Sequence, residues 1–139
     1  MDDPSPVGYR HGCSPDGTKG PVNRRESGRR GESMAHAHLT RLGFRVLARN
    51  VHLRHAELDI VAVEGTTLCF VEVKLRSGDH FGSALESVDA RKQRRITRAA
   101  AEFLATRRLP RYRTIRFDVV AIDLQRTPPL RLIRDAFEL

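Results

Sequence analysis

Tryptophan is absent from this 139-residue chain, tyrosine occurs twice and phenylalanine six times, so aromatic side chains make up only 6% of it. With so few aromatics among the basic residues, recognition of single strands by base stacking is disfavoured. Cysteine is equally scarce: Cys13 and Cys69 supply neither a disulfide framework nor a zinc-ligand spacing. Cys69 falls inside an apolar run and reads as a small buried hydrophobe. The six histidines form no ligand pattern, and His52 and His55 are spaced too loosely to suggest one. No apolar run approaches the roughly 20 residues a membrane helix needs, and no signal-like stretch is present, so a cytoplasmic protein without a membrane partner is expected. Acids are the last shortage. Asp and Glu number 17 against 25 Lys and Arg, giving a net charge of +8 and a pI near 10.7. Such an excess ordinarily faces a polyanion.

What is present suffices for one domain with a single core. Residues Met1 to Ser27 are rich in Pro, Gly, Ser and charge, without hydrophobic periodicity. They read as a disordered basic tail, or as a start placed too far upstream. Arg24, Arg25, Arg29 and Arg30 offer the alternative of a flexible arm on a nucleic-acid backbone. The domain proper is expected over 28–139. A helix is predicted from Gly28 to Leu42, stopped by Gly43, with Ala35, Leu39 and Leu42 as its apolar stripe. Strands are predicted at Phe44–Val51, Glu57–Glu64 and Thr67–Lys74, and a loop with a short helical turn at Leu75–Val88. A long helix follows over Asp89–Arg107, N-capped by Asp89, with Ile96, Ala99, Ala100, Phe103 and Leu104 facing inward. Two more strands, Thr114–Asp123 and Leu130–Ala136, complete an α/β fold of order αβββαββ, a mixed sheet flanked by helices.

The chemistry concentrates in Phe70-Val71-Glu72-Val73-Lys74 and in Asp59. Strand side chains alternate, so Glu72 and Lys74 share a face, as do Glu57 and Asp59. The link Glu64-Gly65-Thr66-Thr67 is short enough for a hairpin that sets Asp59 beside Glu72. The flanking apolar runs argue for central strands, where unpaired charge is unfavourable, against a solvated face that would produce the same alternation. Stepping back three residues from Ala35 along the first helix reaches Glu32, a carboxylate on a buried edge that wants a partner; an exposed first-turn glutamate is the alternative. Adjoining carboxylates favour a cation between them, and hard divalent ions prefer oxygen. Glu32, Asp59, Glu72 and the carbonyl of Val73 are therefore candidate ligands for Mg²⁺ or Mn²⁺, with Lys74 beside them to orient or deprotonate water, or to neutralise phosphate charge.

A second constellation is basic. Arg91, Arg94, Arg95 and Arg98 recur at helical spacing and form one face, either a solvated surface or a seat for phosphates. Lys92, four residues before Ile96, leans toward the sheet, and it is grouped with these arginines as a candidate nucleic-acid contact. Arg76 shares the strand parity of Lys74 and is a candidate phosphate clamp.

The combination Gly31-Glu32-x-x-Ala35, Arg49-Asn50, Glu57-Leu58-Asp59, Phe70-Val71-Glu72-Val73-Lys74-x-Arg76, Phe81-Gly82, Lys92 and Arg116-Phe117-Asp118-Val119-Val120 resembles the bacterial YraN-like family. That family is similar to archaeal Holliday-junction resolvases and belongs to the restriction-endonuclease-like, PD-(D/E)xK superfamily. The resemblance runs from about Gly28 to the C-terminus, with Ala56 standing where the family usually has glycine. It implies a restriction-endonuclease-like sheet and a catalytic, metal-binding site at Glu32, Asp59, Glu72 and Lys74. The function implied is metal-dependent endonucleolytic hydrolysis of DNA, including branched DNA, for which junction resolution would require a homodimer. The alternative is a non-catalytic nucleic-acid-binding module on the same fold.

Overall fold

The computed structural model describes residues 24–76 and 88–138, with side chains from Arg29 to Leu75 and from Val88 to Glu138. Its elements are α1 (Arg24–Arg41), β1 (Arg45–His52), β2 (Glu57–Glu64), β3 (Thr67–Arg76), α2 (Ala90–Thr106), β4 (Thr114–Asp123) and β5 (Leu130–Phe137). The order αβββαββ is the expected one. The five strands form one mixed sheet in sequence order, antiparallel throughout except for the parallel β3–β4 pair. A parallel pair needs a crossover connection, and α2 lies within it.

Several boundaries shift from expectation, chiefly the start of α1, the start of β1 and the end of β3, which continues through Leu75 and Arg76, expected as loop. Helix α1 begins at Arg24, inside the segment read as tail, because extending a formed helix adds a hydrogen bond for each residue ordered. At its other end the Gly43 N–H returns to the Thr40 carbonyl and the Phe44 N–H to that of Leu39, with Gly43 at φ 98. This is a Schellman cap, and it holds Phe44 against Leu39 rather than in β1. The cap also turns Leu42 outward, 44% exposed, so it is not part of the buried stripe. Residues 1–23 and most of the predicted 75–88 loop lie outside the described residues, as does the Phe81-Gly82 pair.

Alternation along the central strands splits the core in two. Ile60, Ala62, Cys69 and Val71 pack with Ala35 and Leu39 of α1, whereas Val61, Val63, Leu68 and Phe70 pack with Ile96, Ala99, Ala100 and Phe103 of α2. The helices therefore cover opposite faces of the sheet. Phe70 meets Phe103 edge-on at 6.1 Å and stacks on Phe117 at 5.6 Å, tying α2 to β3 and β4. Burial raises the Cys69 thiol to about 12, with Asp118 adding to the effect, as befits an inert core cysteine.

Gly65, at φ 63, turns β2 into β3, and at this end of the sheet Glu64 accepts from Arg134 through both oxygens (3.0 and 2.7 Å) and from Arg116 at 2.6 Å. Hydrogen bonding from Arg134, helped by Arg116 and opposed by burial, lowers the Glu64 carboxyl from 4.5 to about 2. A depressed acid contributes stability that is complete above its unfolded value and lost as pH falls through its folded one. Glu64→Gln should thus lower stability at pH 7 by about 1–2 kcal/mol after allowance for solvent screening. The gap between variant and wild type in thermal melts should close as pH falls from about 4.5 to 2. A gap independent of pH would show that the carboxylate's charge is not what matters.

Candidate active site at a fork in the sheet

The β2–β3 ladder runs from Glu64↔Thr67 to Ile60↔Val71 and goes no further. Beyond that point β2 stays with β1 through His52↔Glu57, and β3 stays with β4 through Arg76↔Asp123. The next facing pair is Asp59 and Glu72, and here the chain replaces a ladder bond with a side-chain one: the Val73 N–H donates to Asp59 Oδ2 at 2.9 Å. The strands part around two carboxylates. Because the sheet is open there, Glu32 from the α1 face reaches the same cavity, of about 240 Å³, lined by Gly31, Glu32, Asp59, Glu72, Val73, Lys74, Leu75 and Lys92.

Glu32 lies well inside α1 and is only 8% exposed, so it is not a solvated first-turn glutamate. Its Oε1 is buried without a hydrogen-bond partner. Burial raises its carboxyl, against the hydrogen bonding of Asn50. Asn50 occupies the β1 position facing Asp59 between the pairs Arg49↔Ile60 and Val51↔Leu58, at φ 52. Asparagine tolerates that left-handed conformation better than most residues. Its contact with Glu32 was invisible to periodicity, although Arg49-Asn50 was part of the family pattern.

Asp59 is raised from 3.8 to about 8, chiefly by burial and next by the charge of Glu72. Glu72, also 8% exposed, meets two ammonium groups at the same oxygen: Lys92 Nζ lies 2.6 Å from Oε2 and Lys74 Nζ 3.6 Å. Burial, and then the proximity of Lys92, lowers Lys74. Burial also works against Lys92, but Glu72, Lys74 and Asp59 together outweigh it and hold Lys92 above its ordinary value. Lys92 was grouped by sequence with the phosphate-facing residues. The fold sets it among the carboxylates, from the first turn of α2, where its N–H is capped by Asp89 Oδ1 at 2.9 Å.

A second cavity, of about 280 Å³, shares Asp59, Glu72 and Lys92 with the first and adds Ala56, Glu57, Arg95 and Ile96. Ala56, in the family's usual glycine position, accepts from the Leu53 N–H (3.1 Å) without a positive φ. Arg91, Arg94, Arg95 and Arg98 are all exposed on α2, and Arg95 brings that face to the edge of the fork. The Arg76 side chain lies outside the described residues.

The donor chemistry suits a hard divalent cation: three carboxylates border one cavity and one of their oxygens is an unpartnered buried acceptor. Among the described residues no three such side chains already stand as a closed ligand set. The acids would have to rotate inward around an ion. Also among the described residues, no helix is long and apolar enough to cross a membrane.

Comparison with known proteins covers the whole of this site. The profile of "Uncharacterised protein family UPF0102" matches residues 31–122, which include Glu32, Asp59, Glu72, Lys74 and Lys92. A UPF0102 protein of Pseudomonas paraeruginosa is 44% identical over 120 residues, spanning 84% of this chain and 96% of its own length. Similar proteins occur in Syntrophus aciditrophicus (44% over 114 residues, 81% of this chain and 89% of theirs) and Moorella thermoacetica (43% over 119, 84% and 98%). With the fold as expected and the match running from the first carboxylate helix through β4, the chain belongs to the UPF0102 family, the YraN-like group.

Proposed function

We propose that this protein is a metal-dependent endonuclease that hydrolyses phosphodiester bonds in DNA, branched or otherwise structured DNA among its candidate substrates. The observation that carries the reading is the fork: Glu32, Asp59 and Glu72 border one cavity where the sheet parts, with Lys74 and Lys92 paired to Glu72 alone and an arginine-bearing helix alongside. Packing three acids together is unfavourable for the fold alone, and groups kept in such conflict mark functional sites more often than structural ones.

Glu32, Asp59 and Glu72 would hold Mg²⁺ or Mn²⁺, with the Val73 carbonyl as a further oxygen donor. Such an ion, when bound, supplies a more acidic water and offsets charge on the phosphate. The protein's own groups do the rest. Asp59 is fixed by the Val73 N–H, so its second oxygen keeps a defined direction. Lys74, partly buried and drawn less closely to Glu72 than Lys92 is, stands free to orient the attacking water or take its proton. Arg91, Arg94, Arg95 and Arg98 would seat the phosphate backbone flanking the scissile bond.

The test is incubation of the purified protein with duplex, flap, four-way-junction and single-stranded DNA, with Mg²⁺, Mn²⁺ or EDTA. Cation-dependent cleavage is expected, falling by about 10³-fold or more in Glu72→Gln while the circular dichroism spectrum is unchanged. Wild-type-level cutting by Glu72→Gln would defeat the proposal. Salt-sensitive binding without turnover on every substrate would instead support a binding module. In that binding, each Arg→Ala change on α2 should reduce the salt slope by about one.

A further inference from the structure

The two cavities at the fork share a wall. Each is bordered by Asp59 and Glu72; the first adds Glu32, the second Glu57. A pair of bridging acids with a third acid on either side is an arrangement that could take up two divalent ions. Lys92 borders both cavities, and its Nζ is 2.6 Å from Glu72 Oε2, an ion pair that is short and largely withdrawn from solvent on the acid's side. Arg95 borders the second cavity alone.

We infer that Lys92 is the resident second cation of this site: its ammonium holds the place beside Asp59 and Glu72 that a second divalent ion would otherwise take, so the chain binds one such ion and not two. The inference rests on the metal-dependent reading above and deepens it. Charge supports it. Glu32, Asp59 and Glu72 against Lys74 and Lys92 leave the first cavity one negative charge when all are ionised. One divalent ion turns that to a single positive charge, equal and opposite to a phosphodiester, whereas two would leave a net of three positive charges. Position supports it as well. Lys92 is anchored in the first turn of α2 by Asp89, and Ile96 on the same stripe is buried, so the stem of Lys92 is directed at the fork. A long flexible stem with a compact charge is the side chain that can take an ion's place.

The deciding measurement is the number of Mn²⁺ ions bound per chain, by equilibrium dialysis with electron paramagnetic resonance of free Mn²⁺, in the absence of DNA. Wild type should bind one, Lys92→Gln and Lys92→Met two, and Lys92→Arg one. Two ions on wild type, or one on both neutral variants with unchanged affinity, would overturn the inference while leaving cation binding at the fork intact. No bound Mn²⁺ on wild type would overturn it together with the metal-dependent reading. Lys92 is on a partly exposed first-turn position, so the neutral variants should fold; if neither does, the wild-type count alone decides, one ion for the inference and two against it.

Discussion

Asp59→Asn should make the metal-free protein more stable and at the same time sharply reduce the DNA cleavage proposed above. Asp59 sits opposite Glu72 with Glu32 close by, and burial is the largest influence on its carboxyl, the charge of Glu72 the next. For an acid whose folded value is raised, from 3.8 to about 8, stability is lost as pH climbs between those limits, because folding resists ionisation. An asparagine keeps an oxygen for the Val73 N–H and carries no charge. In EDTA at pH 8 to 9 the variant should gain about 1–3 kcal/mol, which for a domain of this size is a rise in melting temperature of several degrees. At pH 4 the gain should vanish. Cleavage in Mn²⁺ should fall by about 10²- to 10³-fold or more, since a neutral amide is a far poorer ligand for a divalent ion. Removing a conflicted charge so often stabilises a fold at the expense of activity that the pairing of the two effects is the informative outcome. If the variant were less stable than wild type at pH 8.5 without metal, the carboxylate would be serving the fold, and the case for a functional fork would weaken.

The largest loss of stability is expected at Asp118, which faces Val71 in the parallel β3–β4 pair and takes part in a separate ion-pair cluster. Its carboxylate is fully buried and takes both arms of Arg116, Nε to Oδ1 at 2.8 Å and Nη2 to Oδ2 at 2.9 Å. It also accepts from the Asp135 N–H at 2.9 Å. That last bond bridges the irregularity between Phe117↔Phe137 and Val119↔Ile133, where Asp135 adopts φ 57. Asp118 therefore neutralises a guanidinium and repairs a broken ladder at once. Asp118→Ala strands Arg116 with Glu64 as its remaining partner and leaves a β5 amide unpaired. Breaking a buried pair from one side costs about 3–5 kcal/mol, a large part of the roughly 5–15 kcal/mol that holds a domain together. The double variant Arg116→Met/Asp118→Ala should recover much of the loss, since the stranded charge is gone. Chemical denaturation of the three proteins checks this; equal losses in the single and double variants would place the deficit in the Asp135 bond instead. Neither variant should move the pH at which the proposed cleavage is fastest, because the groups that Arg116 and Asp118 bond, Glu64 and the Asp135 N–H, are not those of the fork.

The contrast between these two sites bears on how far the chain could be read without its structure. Asp118 was quoted only as part of a family pattern, yet it is the more deeply buried acid; nothing in Arg116-Phe117-Asp118 reveals that β5 is bulged opposite it. Asp59 and Glu72 were legible because strand parity and a four-residue link place them side by side by rules that are local. Glu32 was legible for a similar reason, three residues back from a buried alanine on one helix. The strand and helix spans followed from the same periodicities; a cap set Phe44 aside, whereas α1 and β3 run past their expected ends.

Local rules also account for what stayed hidden. The alternation of apolar and charged residues in β2 and β3, the spacing of α1 and α2 and the excess of arginine determined an α/β sheet with acids on its central hairpin and basic residues on its second helix. Only the tertiary structure decided that β2 and β3 part at Asp59, that Asn50 reaches Glu32 at a left-handed turn of β1, and that Lys92 belongs to the carboxylates rather than to the arginine face. Periodicity states which side of its own element a residue occupies. Where the end of a long side chain comes to rest depends on how one element packs on another, and for Lys92 that is set by the burial of Ile96 and Phe103 against the sheet.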